Sequence, residues 1–392
     1  MTTVKVEYGK GILFELGSPT NGVLGTNLLG IGETFVDVSD RVVSLTVRRG
    51  RPDVLDPVRA GRANIVLQNR DGLLDPLNTS SPLYPGVEPA RTVKVYGDGI
   101  QVFEGTVDDL ALGYNPSGVA VVTIQAVDGL ENFSLAEFPT AGTAFPQQDS
   151  GARVSAVLGV NSSWWSGGTA ISSGDSTLAA GTATGNVLQY LNTVARSEAG
   201  TFFVSRDGVL SFRNRYYEVG GTALVMADDG SGDVAYQILS RVSAAEDLRT
   251  VAVAERDGTT LSQESTLGVL RFGVRTVDLG EMLLLSDEIV EQRLRFELNR
   301  RDKPYPTVSE VQVSQQQQVS TATIGLELGD PVEVLFTPPG VSQVTEEGVV
   351  GAVTHQFTVG AGWRTTVRFE KDPLGDVFVL GTSTLGVGSL GW

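Results

Sequence analysis

Short runs in which apolar and polar residues alternate, each cut off by glycine or proline, constrain this chain more than any other feature. Residues 42–49 read V-V-S-L-T-V-R-R, 63–68 A-N-I-V-L-Q, 92–96 T-V-K-V-Y and 120–126 A-V-V-T-I-Q-A. Successive side chains of a strand point to opposite faces, so period-two runs rich in β-branched residues predict half-buried strands. The 47 glycines and 16 prolines leave little room for long helices. Asp71-Gly72 and Asp98-Gly99 supply turn chemistry. Residues from about 35 to 130 therefore read as a small β-barrel or sandwich.

The middle of the chain reads differently. In 185–200, Val187, Leu188, Leu191, Val194 and Ala195 recur at helical spacing, with Gly200 as the expected stop. A hairpin should follow, 201–204 against 209–212, turning at Asp207-Gly208. A second helix is predicted over 286–300, with Ser286 at its start, Asp287 and Glu288 in its first turn, and Arg300 and Arg301 near its end. A short helix is expected near 152–158. The fold class is thus mainly β with an α+β middle: two similar small β-barrel domains flanking α/β domains. The expected divisions are 1–135, an N-terminal β-barrel domain; 136–230, α+β with helix and hairpin; 231–305, a second middle α+β region, either separate from the preceding one or continuous with it; 306–375, a second β-barrel domain; and 376–392, an extended tail. Gln315–Gln318 reads as a polar edge or loop.

The terminal β regions echo each other. Thr92-Val93-Lys94-Val95, then Glu104-Gly105-Thr106-Val107, then an alternating run to Asp128, parallels Pro331-Val332-Glu333-Val334, then Glu347-Gly348-Val349-Val350, then a run to Asp372. The glycine-to-aspartate separations differ by one residue, which a loop absorbs. Either two similar units flank a different middle, or generic strands coincide.

Chemistry-bearing motifs are missing. With no cysteine there is neither a disulfide nor a thiolate metal site. The lone histidine, His355, sits in a strand-like run and reads as structural, which removes a histidine relay. Phosphate-loop, nucleophile-elbow and zinc-protease patterns do not occur. Asp228-Asp229-Gly230-Ser231-Gly232-Asp233 lacks the ligand spacing of a calcium loop and reads as a solvated turn. Asp108 and Asp109 are strand neighbours, expected on opposite faces. Arg48, Arg49 and Arg51 read as a small solvated basic turn that could meet an acidic partner. Trp164-Trp165 reads as packing anchors before a sugar platform. No catalytic, cofactor-binding or metal-binding residue is assigned, and the chain is not expected to be an enzyme. A net charge of −17 argues against gripping DNA through its phosphates. No apolar run reaches the roughly 18 residues of a membrane span, and the start carries no signal-peptide core, so export by the usual route is not expected.

Several segments carry a resemblance. Val36-Asp37-Val38-Ser39-Asp40-Arg41-Val42 runs into Val47-Arg48-Arg49-Gly50-Arg51; Ala60-Gly61-Arg62-Ala63 leads to Leu67-Gln68-Asn69-Arg70-Asp71-Gly72; Leu74-Asp75-Pro76-Leu77-Asn78 and Ser81-Pro82-Leu83-Tyr84-Pro85 follow. The 187–213 helix and hairpin and the ending Leu380-Gly381-Thr382-Ser383-Thr384-Leu385-Gly386 fit the same habit. This order resembles the minor tail proteins of long-tailed (siphovirus-type) actinobacteriophages, which are similar to tail-tip or baseplate hub proteins. The resemblance implies a virion structural protein at the tail tip, made in the host cytoplasm. It implies a homotrimeric ring of six barrels that adapts sixfold to threefold symmetry and forms part of the DNA-ejection channel. Its implied partners are a distal tail or tail-tube ring protein, the tape measure protein and other tail-tip or fibre proteins, with no sequence-specific nucleic-acid binding. The alternative is a receptor-binding tail-tip protein that holds a host-surface glycan through the Trp164-Trp165 region.

Overall fold

A computed structural model of the chain describes residues 2–11, 33–51, 56–114, 120–216, 223–242, 247–302, 307–314, 321–371, 377–378 and 389–390. The first alternating runs become β1 (Val4–Gly11), β2 (Glu33–Asp37), β3 (Val42–Gly50), β4 (Arg59–Gln68), β5 (Thr92–Gly97), β6 (Ile100–Tyr114) and β7 (Ala120–Val127). They pair in the order β2-β1-β5-β6-β7-β4-β3. Alternation decides which face is covered: Ala63, Ile65 and Leu67 of β4 are buried while Arg62, Asn64 and Gln68 face water. The β5–β6 hairpin turns at Asp98 (φ 47°) and Gly99 (φ 79°), the two positive values that a tight hairpin of matching twist requires.

The middle elements are α1 (Leu130–Ser134), β8 (Thr143–Phe145), β9 (Gln148–Asp149), α2 (Ser150–Leu158), β10 (Thr169–Ile171), β11 (Thr177–Leu178), β12 (Gly181–Ala183), α3 (Val187–Glu198), β13 (Thr201–Val204) and β14 (Leu210–Arg213). The side chain of Asn186 accepts a hydrogen bond from the Gln189 amide at 3.1 Å, capping α3, and Val187, Leu191, Val194 and Ala195 form its buried face. The helix ends one residue earlier than Gly200 suggests, because Ala199 itself takes the left-handed conformation at φ 59°. The β13–β14 hairpin pairs Phe202 with Phe212, and β10 adds a parallel third strand.

Next come β15 (Leu224–Ala227), β16 (Val234–Ala235), β17 (Ile238–Val242), β18 (Val251–Arg256), β19 (Thr259–Glu264), α4 (Thr266–Phe272), β20 (Thr276–Glu281) and α5 (Asp287–Arg301). Ser286 sits at the start of α5, but its hydroxyl faces Glu288 at 3.4 Å and makes no cap bond. The chain then forms β21 (Thr307–Ser314), α6 (Thr321–Ile324), β22 (Pro331–Phe336), β23 (Val344–Thr358) and β24 (Gly362–Lys371), and finally the two-residue strands β25 (Val377–Phe378) and β26 (Ser389–Leu390). The glutamine run 315–318 and the rest of the terminal tail lie outside the described residues.

The chain is mainly β, as the alternation indicates. The two terminal β regions are not two separately closed barrels. β3 pairs with β23 and fuses them into one open 14-stranded sheet, to which β15, β16 and β17 also belong. One hydrophobic core serves this sheet, with residues from Val6 to Ala126 meeting Phe203 and residues from Met226 to Phe369. A second core, from Leu130 to Leu298, holds the middle helices and small sheets. Each fully buried large aliphatic or aromatic side chain contributes roughly 1.5–3 kcal/mol, so either core outweighs any surface ion pair of the chain. The chain passes between the cores four times: after β7, after β14, after β17 and after α5.

Candidate functional site, a duplicated strand frame

The echo read from sequence is a duplication of pairing geometry. Val93 faces Gly105 across β5–β6, and Val332 faces Gly348 across β22–β23. On the other side of each long strand, Val107 faces Ala126 and Val350 faces Phe369. Both strands then bulge at the same place, with Asp108 the extra residue in β6 and Gly351 in β23. Pairing continues equivalently outward: Ile65 of β4 lies between Ile124 and Leu45, as Val311 of β21 lies between Val367 and Leu239. The frame β3-β4-β7-β6-β5 thus recurs as β17-β21-β24-β23-β22, with the same chain order.

The shared Glu-Gly has a steric cause. A Cβ at Gly105 would stand 2.4 Å from the carbonyl oxygen of Val127, and one at Gly348 would stand 2.7 Å from that of Glu370. The register equates Val127 with Glu370, so the partner of Asp128 is Lys371 and not Asp372. The one-residue mismatch came from matching acidic letters. Asp128 is itself buried where the first core gives way to the second. It accepts hydrogen bonds from the Gly61 amide at 2.6 Å and the Leu130 amide at 2.9 Å. Burial pushes its carboxyl up to about 7.

Most of the residues singled out in the sequence have partners within the chain. His355 is fully buried in β23, its Nδ1 3.1 Å from Thr365 Oγ1, its ring 5.4 Å from that of Trp363. Burial, with Arg49 and Arg206 nearby, holds the imidazole down to about 3, so it is neutral. Trp165 stacks on Phe133 at 6.0 Å and Trp164 meets Phe138 edge-on at 5.7 Å, so each indole has a ring neighbour of its own chain. The 228–233 carboxylates are occupied by the protein's own donors. Asp228 takes the Thr337 amide at 2.9 Å, Asp229 the Ser231 amide at 2.9 Å, and Asp233 the Val225 amide at 3.0 Å. The bulge interrupts alternation at Asp108 and Asp109, and both are exposed.

Arg48, Arg49 and Arg51 are not a solvated turn. Arg48 and Arg49 lie within β3. Arg49 is buried against Glu327 and donates to the Leu326 carbonyl at 3.3 Å, while Arg51 is bound by Glu370. The acidic partners belong to the same chain, far away in sequence, which no local pattern reveals. Both arginines serve the seam between frame and middle. There a cleft of about 560 Å³ is lined by Arg51, Arg196, Asp278, Arg293, Glu297 and Arg301 among others. Its cations are engaged: Arg196 donates to the Leu279 carbonyl at 2.9 Å, Arg293 to Glu297 at 2.9 Å, and Arg301 to Glu297 at 2.5 Å. Burial lowers the Arg300 guanidinium to about 10, with Glu297 opposing the shift. Among the described residues no group of acidic or histidine side chains is placed to hold a metal ion. The seam's charged side chains fasten one part of the chain to another, and the duplicated frame is the feature that repeats.

No family profile and no curated relative matches the sequence. Solved structures do match its shape. The 43 kDa tail protein of prophage MuSo2 from Shewanella oneidensis aligns over 95% of this chain and 98% of its own, with a TM-score of 0.58 and 11% identity. A tail protein from Neisseria meningitidis MC58 aligns over 95% and 97%, with a TM-score of 0.61 and 12% identity. The chain has the fold of these tail proteins. Prophage tail protein gp18 from Listeria monocytogenes EGD-e agrees more loosely, over 87% and 92%, with a TM-score of 0.51 and 12% identity.

Proposed function

We propose that this chain is a structural, non-enzymatic component of a phage-type tail and forms the tail-tip hub. Three copies make a ring that caps or continues the tail tube, with a distal tail or tail-tube ring protein, the tape measure protein and fibre proteins as neighbours. It is made in the host cytoplasm and ends in the virion. The observation that carries this reading is the duplicated frame: a unit repeated at equal register within one chain turns threefold symmetry into six similar docking surfaces. The end-to-end agreement of the fold with prophage tail proteins supports it. The sequence segments quoted above favour the long-tailed actinobacteriophage branch. The net charge of −17 suits a passage for DNA, since fixed negative charge repels phosphates and prevents adhesion.

The test is the native mass of the purified chain over a range of concentrations, alone and with tail-tube rings, followed by imaging of the complex. A trimer seated on the ring is the expected outcome. A chain that stays monomeric beside the rings and does not bind them overturns the hub reading.

A further inference from the structure

The two frames differ in one respect that the duplication makes informative. β23 carries two neighbours along one edge, β22 on its first half and β3 on residues 352–358. β6, its counterpart, carries β5 on its first half, and residues 109–114 pair only with β7 among the described residues. The mirror-image gap exists in the other frame. β3 is paired on both edges, by β4 and β23, whereas among the described residues its counterpart β17 is paired only by β21. Among the described residues, one frame therefore lacks a strand where the other offers one.

We propose that copies of this chain join by strand pairing, β17 of one copy running antiparallel along residues 109–114 of β6 in the next. The contact would repeat between chains the β3–β23 pairing already present within each chain. Unpaired sheet edges are templates for exactly such addition of a strand. The exposed side chains agree: Tyr114 is 64% exposed, Ile238 50% and Val242 46%. Their counterparts by register in the closed junction are Phe357, Ser44 and Arg48, of which Phe357 and Ser44 are half-buried and Arg48 is exposed.

The register is fixed by equivalence. Leu45 faces Phe357, Thr46 faces Gln356 and Val47 faces His355. Transferred to the open edges, Leu239 faces Tyr114, Ser240 faces Gly113, Arg241 faces Leu112 and Val242 faces Ala111. Such an interface is head-to-tail, since a different edge is used on each copy. It closes into a ring only if the rotation per copy divides a full turn. The proposal deepens the hub reading and rests on it for the number of copies.

The native chain contains no cysteine, so paired cysteines report cleanly. Facing residues of an antiparallel pair stand roughly 4.5–5.5 Å apart at Cα, within disulfide reach. The full chain carrying Ala111→Cys and Val242→Cys should, under mild oxidation, give a reducible ladder ending in one closed species. Two single variants mixed together should stop at a dimer, and Ala111→Cys with Ile238→Cys, out of register, should not link. Gly113→Cys with Ser240→Cys is the second in-register pair and should link like the first. If native mass shows a trimer but neither in-register pair links, strand pairing is wrong while the hub reading stands. If the chain stays monomeric with and without tail-tube rings and neither pair links, both fail.

Discussion

Acid should destabilise the wild-type chain more steeply than a His355→Asn variant. His355 is fully buried, and its Nε2 has no hydrogen-bond partner among the described residues. Thr365 Oγ1, which meets its Nδ1, already accepts from Trp363 Nε1 at 3.0 Å. Burial together with Arg49 and Arg206 depresses the imidazole to about 3 in the fold, against an unfolded value of 6.5. Between those values the unfolded chain binds a proton that the folded chain refuses. Stability is therefore whole above pH 6.5 and falls as pH drops towards 3. At ~1.4 kcal/mol per pH unit, moving from pH 6.5 to 5 should remove about 2 kcal/mol through this one group. Carboxylates that titrate in both proteins cancel in the comparison. Urea unfolding at pH 7 and pH 5, followed by tryptophan fluorescence and far-UV circular dichroism, measures the difference. The variant begins weaker at pH 7, having lost packing, but should lose about 2 kcal/mol less than wild type on acidification. Parallel losses would refute the reasoning, because they would mean that the folded state accommodates the imidazolium.

Glu297→Gln should destabilise the middle core by about 3–5 kcal/mol, seen in thermal melts, because Arg293 and Arg301 would keep their buried positions without their shared countercharge. Gly105→Ala and Gly348→Ala should each cost about 1–3 kcal/mol by pressing a methyl into a facing carbonyl, and similar penalties at the two sites would confirm that the frames are equivalent. Trp165→Ala should cost on the order of 2 kcal/mol, roughly half the loss for a fully buried aromatic, without changing retention on purified cell wall. A selective loss of wall binding with stability intact would restore the glycan reading.

The sequence made the local layer of this fold legible and hid the long-range layer. Period-two runs marked β3 to β7 because each has one wet face, and α3 was visible because its apolar residues fall on one stripe. The Glu-Gly echo was readable because a facing carbonyl forbids a side chain at both glycines. The 139–184 stretch was opaque for the opposite reason. Its strands are two or three residues long, too short to show a period, and β10 owes its place to a partner 41 residues away. Arg49 was misread because its charge is answered by Glu327, and nothing local distinguishes it from a solvated cation. The β3–β23 junction was equally invisible, since strand edges carry no sequence signature of the neighbour that will fill them.

The four passages of the chain between the two cores have a mechanical meaning. A lobe hung on one linker swings, because a few residues absorb the rotation. Here the middle lobe is joined along the chain to the ends of β7, β15, β17 and β21. Four crossings between the cores leave no single linker that could serve as the hinge of the middle lobe.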